Sequence, residues 1–383
     1  MLKLSKFYMT AALVSVLLAG CGQVSEAPVE ETPVVENVET EAETEQKPET
    51  EQETKNPEAE EEKPASSLVI SGADYLSVEG ILLEEGTEIA MVAANSENSY
   101  WDIVKKGAVQ AIEDFNSALG YSGKKKVKLS FDAPKGENVI EQINIIDQFL
   151  DKAPDALCVS FTDASACKTQ MDMARNNGIK TIAFDSSDDS HLTETLVATD
   201  NRAAASEAAK EMFEAINYEG KVAILVHNSL TRTGQDRKQA IVDEMTQKYN
   251  DKNIQFVEIV YAAQEERSEK EILSELLAKH DDLAGIICTD LQTTEMVIDY
   301  AKDLDEVNFK IVGFDTSEKI IGEIGNLLVG TMSQDPYSIG YAAVVAAARS
   351  ITDMGNVPEV CTKHIWINAD NLDSAEVQSL LNY

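Results

Sequence analysis

Two successive runs of one alternation constrain this chain more than any other feature. From Thr87 a strand-like run of β-branched and apolar residues is followed by a stretch with apolar residues at helical spacing, and the unit repeats. Strands are expected at residues 88–94, 126–131, 156–161, 180–185 and 196–199, with helices at 99–119, 138–152 and 164–177. The pattern then starts again, with strands at 221–226, 255–261, 284–288, 310–314 and 328–332 and helices at 202–216, 235–249, 269–279 and 295–303. Segments apolar throughout, such as Thr181-Ile182-Ala183-Phe184, imply strands covered on both faces, as in a parallel sheet between helical layers. The expected fold class is α/β, with two doubly wound parallel-sheet lobes joined by a hinge. The first lobe is expected at 67–200, completed by a helix near 337–352, and the second at 201–335, completed by 360–383; the strand at 364–368 comes last, with a return to the first lobe as the alternative.

In open parallel sheets, ligands sit beyond the carboxyl ends of the strands. Those ends carry Asn95, Asp163, Asp185, Asp200, Asn228, Asp290, Asp315 and Gln334. Asp and Asn also cap helices and begin turns, so a capping role and a ligand role both stand at each position.

The N-terminus sets the compartment. Lys3 and Lys6 precede a short apolar run at residues 7–18, the pattern of a signal peptide over residues 1–20. The run is too short to span a bilayer comfortably. The sequence Leu18-Ala19-Gly20-Cys21 then resembles the lipobox of bacterial lipoproteins, which implies acylation of Cys21 and anchoring to the outer face of the cell membrane. Residues 24–66 hold 15 Glu against 3 Lys and almost nothing to bury, so residues 21–66 are expected to form a lipidated, disordered acidic tether. Most of the net charge of −36 remains on the folded part, which disfavours nucleic acid and anionic lipid surfaces. Cys158, Cys167, Cys288 and Cys361 follow no metal-like spacing; export permits a disulfide, but the sequence assigns no partners.

Several ordered segments carry a further resemblance. Glu97-Asn98-Ser99-Tyr100-Trp101 follows the first strand and precedes Gly107. Ile182-Ala183-Phe184-Asp185 and Val312-Gly313-Phe314-Asp315 end strands in Asp. Ala198-Thr199-Asp200-Asn201, Thr233-Gly234-Gln235-Asp236-Arg237 and Gln334 complete the set. With these the chain resembles the type I periplasmic binding proteins, in the branch typified by ribose- and galactose-binding proteins. The resemblance implies a monomeric receptor that captures a sugar between its lobes and hands it to an ABC importer permease, with no cofactor and no metal. Its ligand contacts would be Asn98, Tyr100, Trp101, Asp185, Arg237, Asp290, Asp315 and Gln334.

The chemistry suits a polyol. Carboxylates accept strong bonds from hydroxyls, Arg donates a fork of them, and amides do either. Tyr100 and Trp101 would sandwich the apolar face of the ring, with core packing at a helix start as the competing role. Trp366 has no such context and is expected in the core. His227 ends a strand near the cleft, either as a specificity contact or as a satisfied strand-end histidine. Two departures weigh against ribose: Ser186 stands where ribose-binding members have Arg, and Asp290 where they have Asn. The acid run Asp188-Asp189 lacks the ligand spacing of a calcium loop. A sensor module feeding a histidine kinase or chemoreceptor, or a receptor for a nucleoside or other polar solute, would share these features. An enzyme finds little support, since G-x-S-x-G, P-loop and H-E-x-x-H motifs are absent.

Overall fold

The computed structural model of the chain describes residues 75–187, 192–262 and 267–382. The expected signal peptide, Cys21 and acidic tether lie outside those residues, as do Asp188, Asp189 and His191.

The first sheet is built from β1 (Glu88–Val92), α1 (Ser99–Leu119), β2 (Lys128–Asp132), α2 (Val139–Leu150), β3 (Ala156–Val159), α3 (Lys168–Asn176), β4 (Lys180–Phe184) and β5 (Leu196–Thr199) with their helices. The chain then crosses into α4 (Asn201–Ala215), β6 (Glu219–Val226), α5 (Arg232–Asp243), β7 (Asn253–Tyr261), α6 (Glu269–Lys279), β8 (Leu283–Cys288), α7 (Leu291–Lys302), β9 (Lys310–Phe314), α8 (Glu318–Gly322) and β10 (Leu328–Gln334). It returns with α9 (Pro336–Ile351) and β11 (Glu359–Thr362), crosses once more into β12 (His364–Asn368), and ends with α10 (Ala375–Leu381). Strand order is β11-β5-β4-β3-β1-β2 in one sheet and β12-β10-β9-β8-β6-β7 in the other. Every described pairing is parallel except β10 with β12. The two sheets are the two doubly wound lobes that the alternation predicts.

The strands form because helices cover both faces. All four residues of β3 are buried, as are the last four of β1, β4 and β9. Helix α9 is buried on nearly every side, as an apolar Ala- and Val-rich helix must be, and packs between α1 and strands β3 to β5. Helix α4 covers the second sheet. Close approach of α1 and α9 requires glycine. A Cβ on Gly107 would fall 1.9 Å from the carbonyl oxygen of Tyr337, and one on Gly340 would fall 1.8 Å from that of Val104.

The structure departs from the sequence reading in several places. The expected helix at 164–177 begins only at Lys168, after a turn in which Asp163 Oδ1 accepts from the Ala166 amide. The helix expected at 235–249 starts earlier, at Arg232, because Thr231 caps it, and gives way to a π-turn at Glu244–Lys248. The short strand β11 was not expected at all; it pairs with β5 and makes a third interlobe crossing just before β12. Cys158, Cys167 and Cys288 are free, buried thiols.

Candidate functional site

The carboxyl ends of the two sheets face each other and enclose a cavity of about 50 Å³. All eight candidate contacts line it: Asn98, Tyr100, Trp101, Asp185, Arg237, Asp290, Asp315 and Gln334. Asn98 reaches it by capping α1 with its backbone, which sets Tyr100 and Trp101 on the first turn, facing inward. Asp185 and Asp315 follow β4 and β9, which occupy matching places in the two sheets, and both take left-handed backbone angles, φ 60° and 66°. Left-handed Asp is tolerated because its short polar side chain bonds locally, so each strand can turn sharply and present a carboxylate.

The polar groups form one network across the lobes. The Tyr100 hydroxyl donates to Asp185 Oδ1 at 2.6 Å, and Ser160 Oγ donates to Asp185 Oδ2 at 3.3 Å. Gln334, at the second crossing, accepts from Thr199 Oγ1 at 2.8 Å and donates to Asp315 Oδ1 at 2.6 Å. Asp315 Oδ2 accepts from the Leu291 amide at 3.0 Å. The Arg237 guanidinium, 2 % exposed, donates to Asn201 Oδ1 at 2.7 Å and to the Thr289 carbonyl at 2.6 Å, and lies 4.0 Å from the centroid of the Phe314 ring. This arrangement is a rigid fork held from behind.

Burial dominates the electrostatics. It raises Asp185 above the usual carboxylate range and pushes Asp315 up to about 6, against the pull of Arg237 in both cases. The same desolvation, with Asp185 and Asp315 nearby, raises the Tyr100 hydroxyl well above its ordinary value, so it stays a donor. His227 is pushed down to about 4 by burial and is neutral. Its Nδ1 lies 2.9 Å from Thr289 Oγ1 and its Nε2 3.1 Å from both Thr231 Oγ1 and Thr233 Oγ1. His227 is therefore a satisfied strand-end histidine that also lines the cavity.

One expectation changes. Tyr100 and Trp101 stand edge-to-face, with centroids 5.0 Å apart and planes at 84°, and Trp101 meets Phe184 in the same way. Rings in direct T-shaped contact cannot lie on opposite faces of a sugar, so the sandwich is replaced by one aromatic wall. Asp290 is in part a helix cap: its Oδ1 accepts from the Thr293 amide at 2.8 Å and the Thr293 hydroxyl at 2.6 Å. Asp163 and Asp200 also cap helices or turns and do not line the cavity. Trp366 packs in the core of the second lobe.

Glu137 escaped the sequence reading. It lies in the loop between β2 and α2, just before the Asn138 cap, and its carboxylate accepts a hydrogen bond from Asn228 Nδ2 of the opposite lobe. Burial, with Asp290 adding to it, pushes its carboxyl up to about 7 despite that bond. Among the described residues, two buried acceptors in the cavity wall lack partners: Asn98 Oδ1 and Ser186 Oγ, the latter on a residue only 2 % exposed. Unsatisfied polar atoms of this kind are costly unless a ligand completes them. An outer cavity of about 470 Å³ shares Asn98, Glu137, His227, Asp290 and Leu291 with the inner one. Small-molecule sites usually span roughly 300–1,000 Å³, so a bound solute would draw on both.

A sequence model for a family described as a periplasmic binding protein domain matches residues 89–354. The ribose import binding protein RbsB of Bacillus subtilis (strain 168) is 25% identical over 215 residues, covering 54% of this chain and 66% of that protein, just under two thirds of its length. Among solved structures, a carbohydrate transporter solute binding protein from Agrobacterium radiobacter in complex with D-arabinose superposes with a TM-score of 0.70 at 23% identity, over 77% of this chain and 99% of that one. GanP, a glucose-galactose binding protein from Geobacillus stearothermophilus, gives a TM-score of 0.68 at 22% identity, over 76% and 99%. At these identities the superpositions establish the fold.

Proposed function

The chain belongs to the periplasmic binding protein family, in its type I sugar branch, and from that premise we propose that it captures a monosaccharide or small oligosaccharide between its lobes and delivers it to an ABC transporter. The observation that carries this reading is the interlobe cavity, where the acceptor carboxylates, one buried guanidinium and one aromatic wall converge. Hydroxyl-rich solutes need such a mixture of acceptors, donors and apolar face. Closure over the solute would present a two-lobed surface to the permease. The lipobox-like Cys21 anchors the receptor on the extracytoplasmic face of the membrane, and the acidic segment gives it reach.

A thermal-shift screen of the purified full chain against mono- and disaccharides, nucleosides and amino acids tests the reading. A sugar at a hundredfold excess over its Kd stabilises the folded form by about 2.7 kcal/mol, a rise of about 4 °C in Tm for a body of this size. Asp315→Asn, which keeps the left-handed turn, is expected to remove most of that rise. A rise with nucleosides or amino acids and with no sugar would discard the sugar assignment and keep the fold.

A further inference from the structure

Four carboxylates line the inner cavity: Glu137 and Asp185 from the first lobe, Asp290 and Asp315 from the second. Arg237 supplies the single positive charge of that wall. Among the described residues no Lys or Arg nitrogen lies within 4.0 Å of any of the four, and Arg237 spends two of its donors on Asn201 and the Thr289 carbonyl. The outer cavity continues in the same sign, with Glu97, Glu269, Glu295 and Asp299 in its wall and, among the described residues, no Lys or Arg there. Lys135 and Lys319 offset part of that charge at the rim, Lys135 at 3.4 Å from Glu97 and Lys319 at 3.0 and 2.8 Å from Glu295 and Asp299. Closing the lobes brings like charges from opposite sides together in a space that excludes water, which opposes closure unless the acids take up protons or a cation lies between them, and near pH 7 a bound cation keeps them ionised. Neutral hydroxyls satisfy acceptors but cannot offset that charge.

We infer that the ligand of this cleft carries a protonated amine, as an amino sugar or aminated polyol does, with the ammonium seated where the two cavities join, beside Glu137 and Asp290. The inference rests on the sugar-capture reading and narrows its substrate class. Glu137 and Asp290 line both cavities and repel one another, so the junction is where a positive charge stabilises most. The unpartnered Asn98 Oδ1 and Ser186 Oγ offer neutral acceptors for the ligand's own donors. Among the described residues no cluster of acids, His and Cys is arranged to hold a metal ion, so the acids form an open pocket for a ligand with its own N–H groups. The negative approach would concentrate such a cation at the mouth.

Isothermal titration of the purified full chain at pH 7 with D-glucosamine and D-galactosamine, beside D-glucose, D-galactose and the two N-acetyl forms, tests this. At least one amine is expected to bind about tenfold or more tightly than both its parent and its acetylated form, a preference of the size one buried ion pair commonly supplies. Glu137→Gln is expected to narrow that ratio severalfold, while keeping an acceptor for Asn228. A neutral or acetylated sugar that binds as well as its amine overturns the charge assignment and leaves sugar capture standing. Failure of every sugar, aminated or not, overturns both.

Discussion

Glu137 shows how one side chain can couple solvent pH to the cleft. Burial holds its folded pKa at about 7 against the ordinary value of 4.5. Between those values the folded protein keeps a proton that the unfolded chain has released. The stability this group contributes is therefore fully present below about 4.5 and lost as pH rises through about 7. His227 works the opposite way: its folded value of about 4 lies below the ordinary 6.5, so its contribution is present above 6.5 and fades as pH falls through 4. Glu137→Gln removes only the first dependence. The variant is expected to melt about 2–4 °C higher than wild type at pH 8 and almost the same at pH 4.5, as followed by thermal melts across that range. Melting curves that run parallel at every pH would show that the carboxyl titrates normally. Asp185 and Asp315 illustrate a second residue-scale device, in which the left-handed turn aims the carboxylate and costs about 1 kcal/mol that the rest of the fold must offset.

Among the elements, the contact between α1 and α9 sets the site most directly, because α1 carries Asn98, Tyr100 and Trp101 at its start while α9 follows the Gln334 crossing. The two helices meet through Gly107 and Gly340, each facing a backbone carbonyl that no rotamer change can move aside. Gly340→Ala should therefore force the helices apart, with a loss of about 1–3 kcal/mol and a lower Tm in thermal melts. An unchanged Tm would mean that the pair separates freely. The capping pattern explains why α7 begins where it does: Asp290 and Thr293 form a reciprocal capping box, so one residue both starts the helix and lines the cleft.

For the whole molecule, three crossings tie the lobes together, after β5, after β10 and between β11 and β12. Gln334 and Thr199 join the first two crossings directly by a hydrogen bond. A receptor of this build works only near its transporter, and the proposed lipid at Cys21 provides that proximity. Cys21→Ser is expected to move the protein from the membrane fraction to the soluble fraction of cells, measured by fractionation and immunoblotting. Retention of the variant on membranes would show that something other than an acyl chain holds it there.

The alternation of apolar runs and amphipathic stretches determined the two sheets, because a strand buried on both faces leaves an unbroken apolar signature and a covering helix leaves a 3.6-residue one. The strand-end rule pointed to Asp185, Asp290, Asp315 and Gln334, and the family resemblance added Asn98, Tyr100, Trp101 and Arg237; all eight side chains line one cavity. The short strand β11 was not legible, since four residues carry too little pattern and pairing with β5 is a long-range event. Neither was the edge-to-face setting of Tyr100 and Trp101, with Phe184 packed against Trp101. Glu137 lay hidden in a polar loop where nothing local separates it from a solvated acid. Its role and the excess of carboxylates in the cleft arise only when the lobes close on each other, because charge and burial at a point are properties of everything packed around it.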